Sequence, residues 1–93
     1  MRSRVRLPLV VEDILELRGR RLSIRLEIKD DGVTAFLQAE DDFFAAGKTI
    51  KEARESLAKA LEDELAFFKT HRAELGPELQ AKYRLLRNLL GED

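Results

Sequence analysis

Apolar side chains occupy every second position in two neighbouring runs, residues 22–28 and 33–39. A period of two is typical of a β-strand with one buried face. The runs are separated by Asp-Asp-Gly at 30–32, and Asp-Gly favours a tight turn because glycine accepts a positive φ. This pattern predicts an antiparallel β-hairpin. Phe36 falls on the face opposite to the alternating apolar set, so its ring needs cover from another part of the fold.

Two segments that flank the hairpin extend the predicted sheet. Residues 5–17 alternate as a strand does, but the same residues also fit one helix face with Pro8 in the first turn; we favour the strand. Residues 43–46 are apolar and precede Gly47, which is typical of a third short strand or an extended connector. The expected sheet is antiparallel, occupies residues 5–47 and has three to four strands.

A long helix is predicted over residues 49–75. Thr49 and Glu52 have the spacing of a capping box, in which each side chain accepts a hydrogen bond from the other residue's backbone amide. Gly76-Pro77 ends the pattern, because glycine commonly terminates helices and proline cannot continue them. Apolar residues that recur at steps of three and four form one buried face: Ile50, Ala53, Leu57, Leu61, Leu65 and Phe68.

A second helix is predicted over residues 77–90, with Pro77 in its first turn and Gly91 at its end. Its wide leucine-rich stripe has to bury against either the sheet–helix layer or a second copy of the chain. The sequence therefore predicts an α+β fold within a single domain, residues 1–93. An antiparallel sheet packs against the long helix, and a C-terminal helix follows.

The composition of the 93 residues narrows the class of protein. Apolar residues make up 44%, enough for a core, while the charged fraction of 38% exceeds the usual quarter and resembles that of heat-adapted proteins. The chain has no cysteine, which excludes a disulfide framework and a thiolate metal site. No signal peptide and no run of about 20 apolar residues is present, so we expect a cytoplasmic protein.

The charges are unevenly distributed, although the net charge is only −1. Residues 1–25 carry seven arginines against three acids, whereas the remainder is acidic. One interpretation is a contact surface for nucleic acid or an acidic partner. The other, which we favour, is a basic strand edge paired with the chain's own acidic helix, since DNA-binding domains usually are basic overall and this chain has a pI near 5.9. The arginines proposed for the contact surface are Arg2, Arg4, Arg6, Arg18, Arg20 and Arg21.

The residues that most resemble reactive motifs have simpler explanations. Gly-Lys-Thr at 47–49 resembles the end of a P-loop, but Asp42 occupies the position of the first loop glycine and would repel phosphate. His71 is the only histidine and is placed near the end of the long helix, where the dipole favours it. The acidic runs at 30–31, 40–42 and 62–64 fit solvated turns and a polar helix face. We predict no catalytic residue, no metal site and no cofactor.

The order of hairpin, short phenylalanine-containing segment, glycine and capped helix resembles the HicB-like antitoxin family. The resemblance covers residues 22–68 and is closest in the helix, which opens with the family's T-x-x-E-A at 49–53. It implies a degenerate ribonuclease-H-like module without catalytic residues that is usually oligomeric and binds a toxin or another partner. Members usually have a further strand after the helix, where this sequence has Gly76-Pro77 and a second helix.

The expected function is that of a non-catalytic, antitoxin-like binding and oligomerisation module that forms a homodimer. The alternative is a small nucleic-acid-binding protein that uses the arginine-rich N-terminal region. Aromatic and leucine side chains on the predicted outer sheet face and the C-terminal helix are the candidates for self-association: Phe36, Leu79, Tyr83, Leu86 and Leu90.

Overall fold

Four antiparallel strands form one sheet in the computed structural model, which describes residues 7–91. The strands follow one another in space as they do along the chain, so the first and last are the two edges of the sheet. This confirms the predicted antiparallel sheet at its upper limit of four strands. The strands are β1 (Leu9–Leu17), β2 (Arg20–Lys29), β3 (Gly32–Leu37) and β4 (Glu40–Gly47).

The hairpin turns form where the sequence predicts them. Asp30 and Asp31 connect β2 to β3, and Gly32 follows with φ 153°, a conformation that side chains rarely allow. A Cβ on Gly32 would also lie 2.9 Å from the carbonyl oxygen of Gly47 in β4. Strand β1 confirms the strand interpretation for residues 9–17; Leu7 and Pro8 form a bend, and residues 5 and 6 lie outside the described residues.

The start of β4 corrects the predicted boundary between hairpin and loop. Strand β3 ends at Leu37 rather than at 39, and residues 38–39 form the turn. The acids at 40–42, expected in a turn, therefore lie in the edge strand β4. Their side chains are exposed or half-buried, while Phe43, the next residue, is buried and anchors the strand.

Helix α1 (Ile50–Thr70) begins at the predicted cap. The Thr49 hydroxyl accepts a hydrogen bond from the amide of Glu52 at 3.1 Å. The Glu52 carboxylate accepts from the amide of Lys48 at 2.9 Å, one residue before the expected donor. The helix ends at Thr70, five residues earlier than predicted, and a 3-10 turn at Arg72–Glu74 follows it. Gly76, directly before Pro77, has the extended backbone that proline favours in the residue before it.

Helix α2 (Pro77–Leu90) ends at Gly91, whose φ of 74° is the left-handed conformation typical of a glycine terminator. It folds back on the sheet–helix layer of its own chain. Tyr83, Leu86 and Leu90 are consequently 8%, 0% and 3% exposed. The first of the two alternatives for the leucine-rich stripe is the one observed.

The core lies between one face of the sheet and the two helices. It is continuous, and no charged or polar residue is buried among residues 7–91. Neither helix in that range is long and apolar enough to cross a membrane. The largest fully buried side chains are Ile24, Leu26, Leu37, Leu57, Leu61, Leu65 and Leu86.

Candidate interaction surfaces

The first half of β1 exposes three consecutive apolar residues. Leu9, Val10 and Val11 are 41%, 52% and 38% exposed. They pair with β2 on one side, and no described strand lies on the other. Since side chains alternate along a strand, Leu9 and Val11 share the face that carries the helices, and Val10 lies on the opposite, open face. We call residues 9–11 the apolar edge.

The second half of β1 is attached to α1, and the apolar edge is not. Arg54 of α1 donates to the carboxylate of Asp13 at 2.6 Å and to the carbonyl oxygen of Ile14 at 2.8 Å. Just after β1, Arg18 forms a two-point contact with Glu62 at 2.9 and 2.6 Å. The helix therefore covers β1 from residue 13 onward and leaves its start uncovered.

The backbone of β1 presents hydrogen-bonding groups to solvent along this edge. Ser23 of β2, which is paired with Ile14, accepts a hydrogen bond from Gln38 on the far side of β2 at 3.0 Å. The backbone groups of Ile14 therefore turn away from β2, because antiparallel pairs alternate between bonded and non-bonded. By the same alternation, Val10 and Glu12 also turn their N–H and C=O groups outward.

Side chains already occupy the outward groups of Ile14. Its amide donates to the Asp13 carboxylate at 2.8 Å, and its carbonyl oxygen accepts from Arg54. Such an arrangement blocks strand addition at that residue, which is one way in which proteins protect sheet edges. Among residues 7–91, no side chain forms a hydrogen bond with the outward-facing backbone groups of Val10.

An aromatic and cationic stack lies on the open face of the sheet. The guanidinium of Arg25 lies 4.4 Å from the centre of the Phe36 ring, and the rings of Phe36 and Phe44 are 5.7 Å apart. Arg25 also forms ion pairs with Asp41 at 3.3 Å and Glu27 at 3.7 Å. The cover that the sequence requires for Phe36 is thus supplied by Arg25 and Phe44. The stack remains partly exposed, with Phe44 the more accessible ring.

A groove of about 410 Å³ lies between β4, α1 and α2. Its walls include the exposed side chains of Phe44, Phe67 and Leu79. At its rim, Lys82 of α2 donates to Asp42 of β4 at 2.5 Å. This hydrogen bond, with the charge of the carboxylate, raises the pKa of Lys82 above its ordinary value. The groove is therefore apolar at its walls and bridged by one ion pair.

Three of the five residues predicted for self-association are not on the surface. Tyr83, Leu86 and Leu90 are buried because α2 packs onto the core of its own chain. They are therefore no longer candidates for contact with a second copy. Phe36 and Leu79 remain near or at the surface, but one belongs to the open-face stack and the other to the groove. Phe36 and Leu79 thus lie on different surfaces, which share Phe44.

The apolar edge was missed by the sequence reasoning, although a signal for it exists. Three consecutive apolar residues in a strand place apolar groups on both of its faces. The sequence pattern does not give which parts of the sheet the helices cover. Here one face of the sheet is open, which exposes Val10, and α1 is hydrogen-bonded to β1 only from residue 13 onward.

The arginines predicted to form a contact surface lie in different environments. Arg2, Arg4 and Arg6 lie outside the described residues. Arg18 pairs with Glu62 of α1, as expected if the basic strand end pairs with the chain's own acidic helix. The guanidinium of Arg20 lies close to Gly91 at the end of α2, and Arg21 is exposed on the open face opposite Glu16. Among the described residues, these arginines contact different elements.

The remaining reactive-looking residues have structural partners. Thr49 caps α1, which accounts for the Gly-Lys-Thr sequence. His71 lies directly after α1, where its ring contacts Phe67 and its Nδ1 lies 3.1 Å from the Glu74 carboxylate. Between residues 7 and 91, histidine and acidic side chains nowhere gather in a group of three suited to a metal ion.

Comparison with known proteins assigns no family to the chain. The resemblance of residues 22–68 to HicB-like antitoxins therefore stays a prediction. The function is inferred from the apolar edge, the stack on the open face and the groove. No protein-family model, no curated protein and no solved structure matches the sequence or the fold.

Proposed function

We propose that this chain is a non-catalytic protein-binding module whose first partner is a second copy of itself. The observation that carries the proposal is the apolar edge, where Leu9, Val10 and Val11 are exposed beside outward-facing backbone groups. Apolar contact area and free strand hydrogen bonds are the two requirements for adding a strand from another protein chain.

An exposed apolar edge is energetically unfavourable for the monomer. Sheet edges in natural proteins are usually protected by charged side chains, proline or a covering element, because an open edge pairs with other chains. In β1 the first charged residue is Glu12, after the three apolar ones. Covering the apolar edge would stabilise an assembly by about 25 cal/mol for each Å² of apolar surface removed from water.

A second protein partner follows from the resemblance to HicB-like antitoxins, which implies binding of a toxin. Two surfaces lie away from the apolar edge and would remain accessible in a dimer formed there: the open-face stack around Phe36 and Phe44, and the groove around Phe67 and Leu79. Both combine aromatic area with ion-paired charges, as the contact surfaces of protein partners commonly do.

Light scattering coupled to size exclusion tests self-association. Over low to high micromolar concentrations, the wild-type chain should approach twice the 10.7 kDa mass of a single copy. A mass of one copy throughout this range would contradict the proposal. For the second partner, co-expression with the protein encoded beside it, followed by purification, should yield a stoichiometric complex; separate elution of the two proteins would remove the antitoxin-like role.

A further inference from the structure

We propose that two copies join by antiparallel pairing of β1 with β1 about a two-fold axis at Val10, which makes one continuous sheet from the four strands of each copy. This inference depends on the proposed self-association and adds the partner surface and its orientation. An isologous contact of this kind uses the same strand in both copies and closes the assembly at a dimer.

The backbone places the axis near Val10. Of the outward-facing residues in β1, Ile14 has both backbone groups occupied by side chains. Proline has no N–H to donate, so Pro8 limits the pairing on the other side. Val10 and Glu12 lie between these limits with outward N–H and C=O groups. Pairing centred at Val10 lets each copy donate to and accept from the other at this residue.

The side chains favour the same axis. In this arrangement Leu9 faces Val11 of the partner on the helix-bearing side, and Val10 faces the partner's Val10 on the open side. Residues directly opposite on an antiparallel pair have Cβ atoms about 5 Å apart, which is within contact distance for these side chains. All three residues of the apolar edge, in both copies, thus lose exposure at once.

Charge along the chain favours the antiparallel orientation. Residues 1–6 contain three arginines and no acid, and β1 contains Glu12, Asp13 and Glu16. Antiparallel pairing about Val10 places the end of β1 that follows this arginine-bearing segment beside the acidic end of the partner's β1. Parallel pairing of the same strands would instead place acids beside acids, and like charges across a strand pair are destabilising.

Single-cysteine variants test the position of the axis, because the chain has no cysteine of its own. In Val10→Cys, the two sulfur-bearing residues would face each other with Cα atoms about 5.5 Å apart, within the range for a disulfide. We expect a covalent dimer under mild oxidation. The matched control is Ala46→Cys, an exposed residue on the same open face but on the other edge strand, β4, which should stay a monomer on non-reducing gels.

Charge substitution tests the same contact without covalent chemistry. Val10→Lys places two ammonium groups at the axis and should raise the dimer dissociation constant by about 100-fold or more, with an unchanged circular dichroism spectrum. Phe67→Lys is the control, since Phe67 is equally exposed, at 51%, but lies in the groove. It should leave the dissociation constant within about threefold of wild type, as expected for a surface site outside the interface.

The outcomes separate the two proposals. A wild-type dimer that dissociates with Val10→Lys and cross-links through Val10→Cys supports the β1 pairing. A wild-type dimer that resists Val10→Lys but dissociates with Phe67→Lys would overturn the β1 pairing and leave self-association intact, through the groove. A wild-type chain that is monomeric throughout would remove both proposals.

The antiparallel orientation of the two β1 strands can be tested separately. Replacing Arg2, Arg4 and Arg6 together with glutamine should weaken the dimer and reduce its sensitivity to salt, because exposed charge pairs are screened at high ionic strength. The control replaces Arg72 and Arg84, exposed arginines outside β1, and should change neither quantity. If the triple variant associates as the wild type does at every salt concentration, the arginines of residues 1–6 do not contribute to the dimer, and charge gives no support to the antiparallel orientation.

Discussion

The two edges of this sheet differ in how they are covered. Strand β4 begins with three acids, buries Phe43 against the helices, and is connected to α2 by the Lys82–Asp42 ion pair. Strand β1 begins with the apolar edge and is held to α1 only from Asp13 onward. The start of β4 is therefore charged and attached to α2, whereas the start of β1 exposes apolar side chains that a core would bury.

Chain connectivity explains the difference. Strand β4 leads through two residues directly into α1, so the helix packs first against the strand from which it emerges. Strand β1 is the strand farthest from β4 in the sheet; Arg54 of α1 forms hydrogen bonds with it, and Glu62 pairs with Arg18 just after it. The hydrogen bonds between α1 and β1 begin at residue 13, and the start of β1, where the apolar edge lies, is left exposed.

The largest expected difference between the two edges is in how much a substitution lowers the free energy of unfolding. Phe43→Ala, on β4, removes a 6%-exposed ring and should lower the free energy of unfolding by about 3–5 kcal/mol, measured by urea denaturation. Val11→Ala, on β1, should cost the monomer less than about 1 kcal/mol, because the side chain is already partly solvated. Equal losses in dilute solution would show that the apolar edge is covered within the monomer.

The next largest expected loss of folding stability is at the junction between β4 and α1. A Cβ on Gly47 would lie 2.6 Å from the amide nitrogen of Ala53 and 2.8 Å from the carbonyl carbon of Glu52. Gly47→Ala should therefore cost about 1–3 kcal/mol of unfolding free energy, because backbone has to shift. Gly76→Ala, with open space around it, is the control and should cost less than about 1 kcal/mol. Similar losses for the two variants would contradict close packing at the junction.

A smaller effect concerns the attachment of β1 to α1. Arg54→Met removes the hydrogen bonds to Asp13 and Ile14, which are only partly exposed, and should cost about 1 kcal/mol in thermal or urea unfolding. Lys59→Met removes an exposed pair with Asp63 within α1 and should cost about 0.5 kcal/mol or less. If Arg54→Met is as mild as the control, the contact does not hold β1 to the helix.

The smallest effect concerns the Lys82–Asp42 pair at β4. This hydrogen bond raises the pKa of Lys82, so the pair stabilises the fold at pH values where the lysine is charged in both the folded and the unfolded chain. The stabilisation is lost as pH rises through the raised pKa. Lys82→Met should therefore make stability slightly less sensitive to alkaline pH, in thermal melts at high pH compared with neutral pH. Lys59→Met is again the control, and an identical pH response in all three proteins would contradict the assignment.

The sequence by itself determined the local elements. Alternation at 22–39, the Thr49 cap and the Gly91 terminator each act over a few residues, through side-chain direction, capping hydrogen bonds and a left-handed backbone conformation. Each depends only on neighbours along the chain, and each is found where the pattern predicts it, except that residues 38–39 form a turn instead of the end of β3.

The tertiary structure alone decided what covers each apolar surface. The stripe with Tyr83, Leu86 and Leu90 was equally suited to a partner or to the chain's own core, and the return of α2 onto that core settled it. The apolar edge is exposed because β1 lies at the end of the strand order and its first residues precede those that are hydrogen-bonded to α1. Amphipathic patterns specify which face is buried but not against what, since that depends on contacts between residues far apart in the sequence.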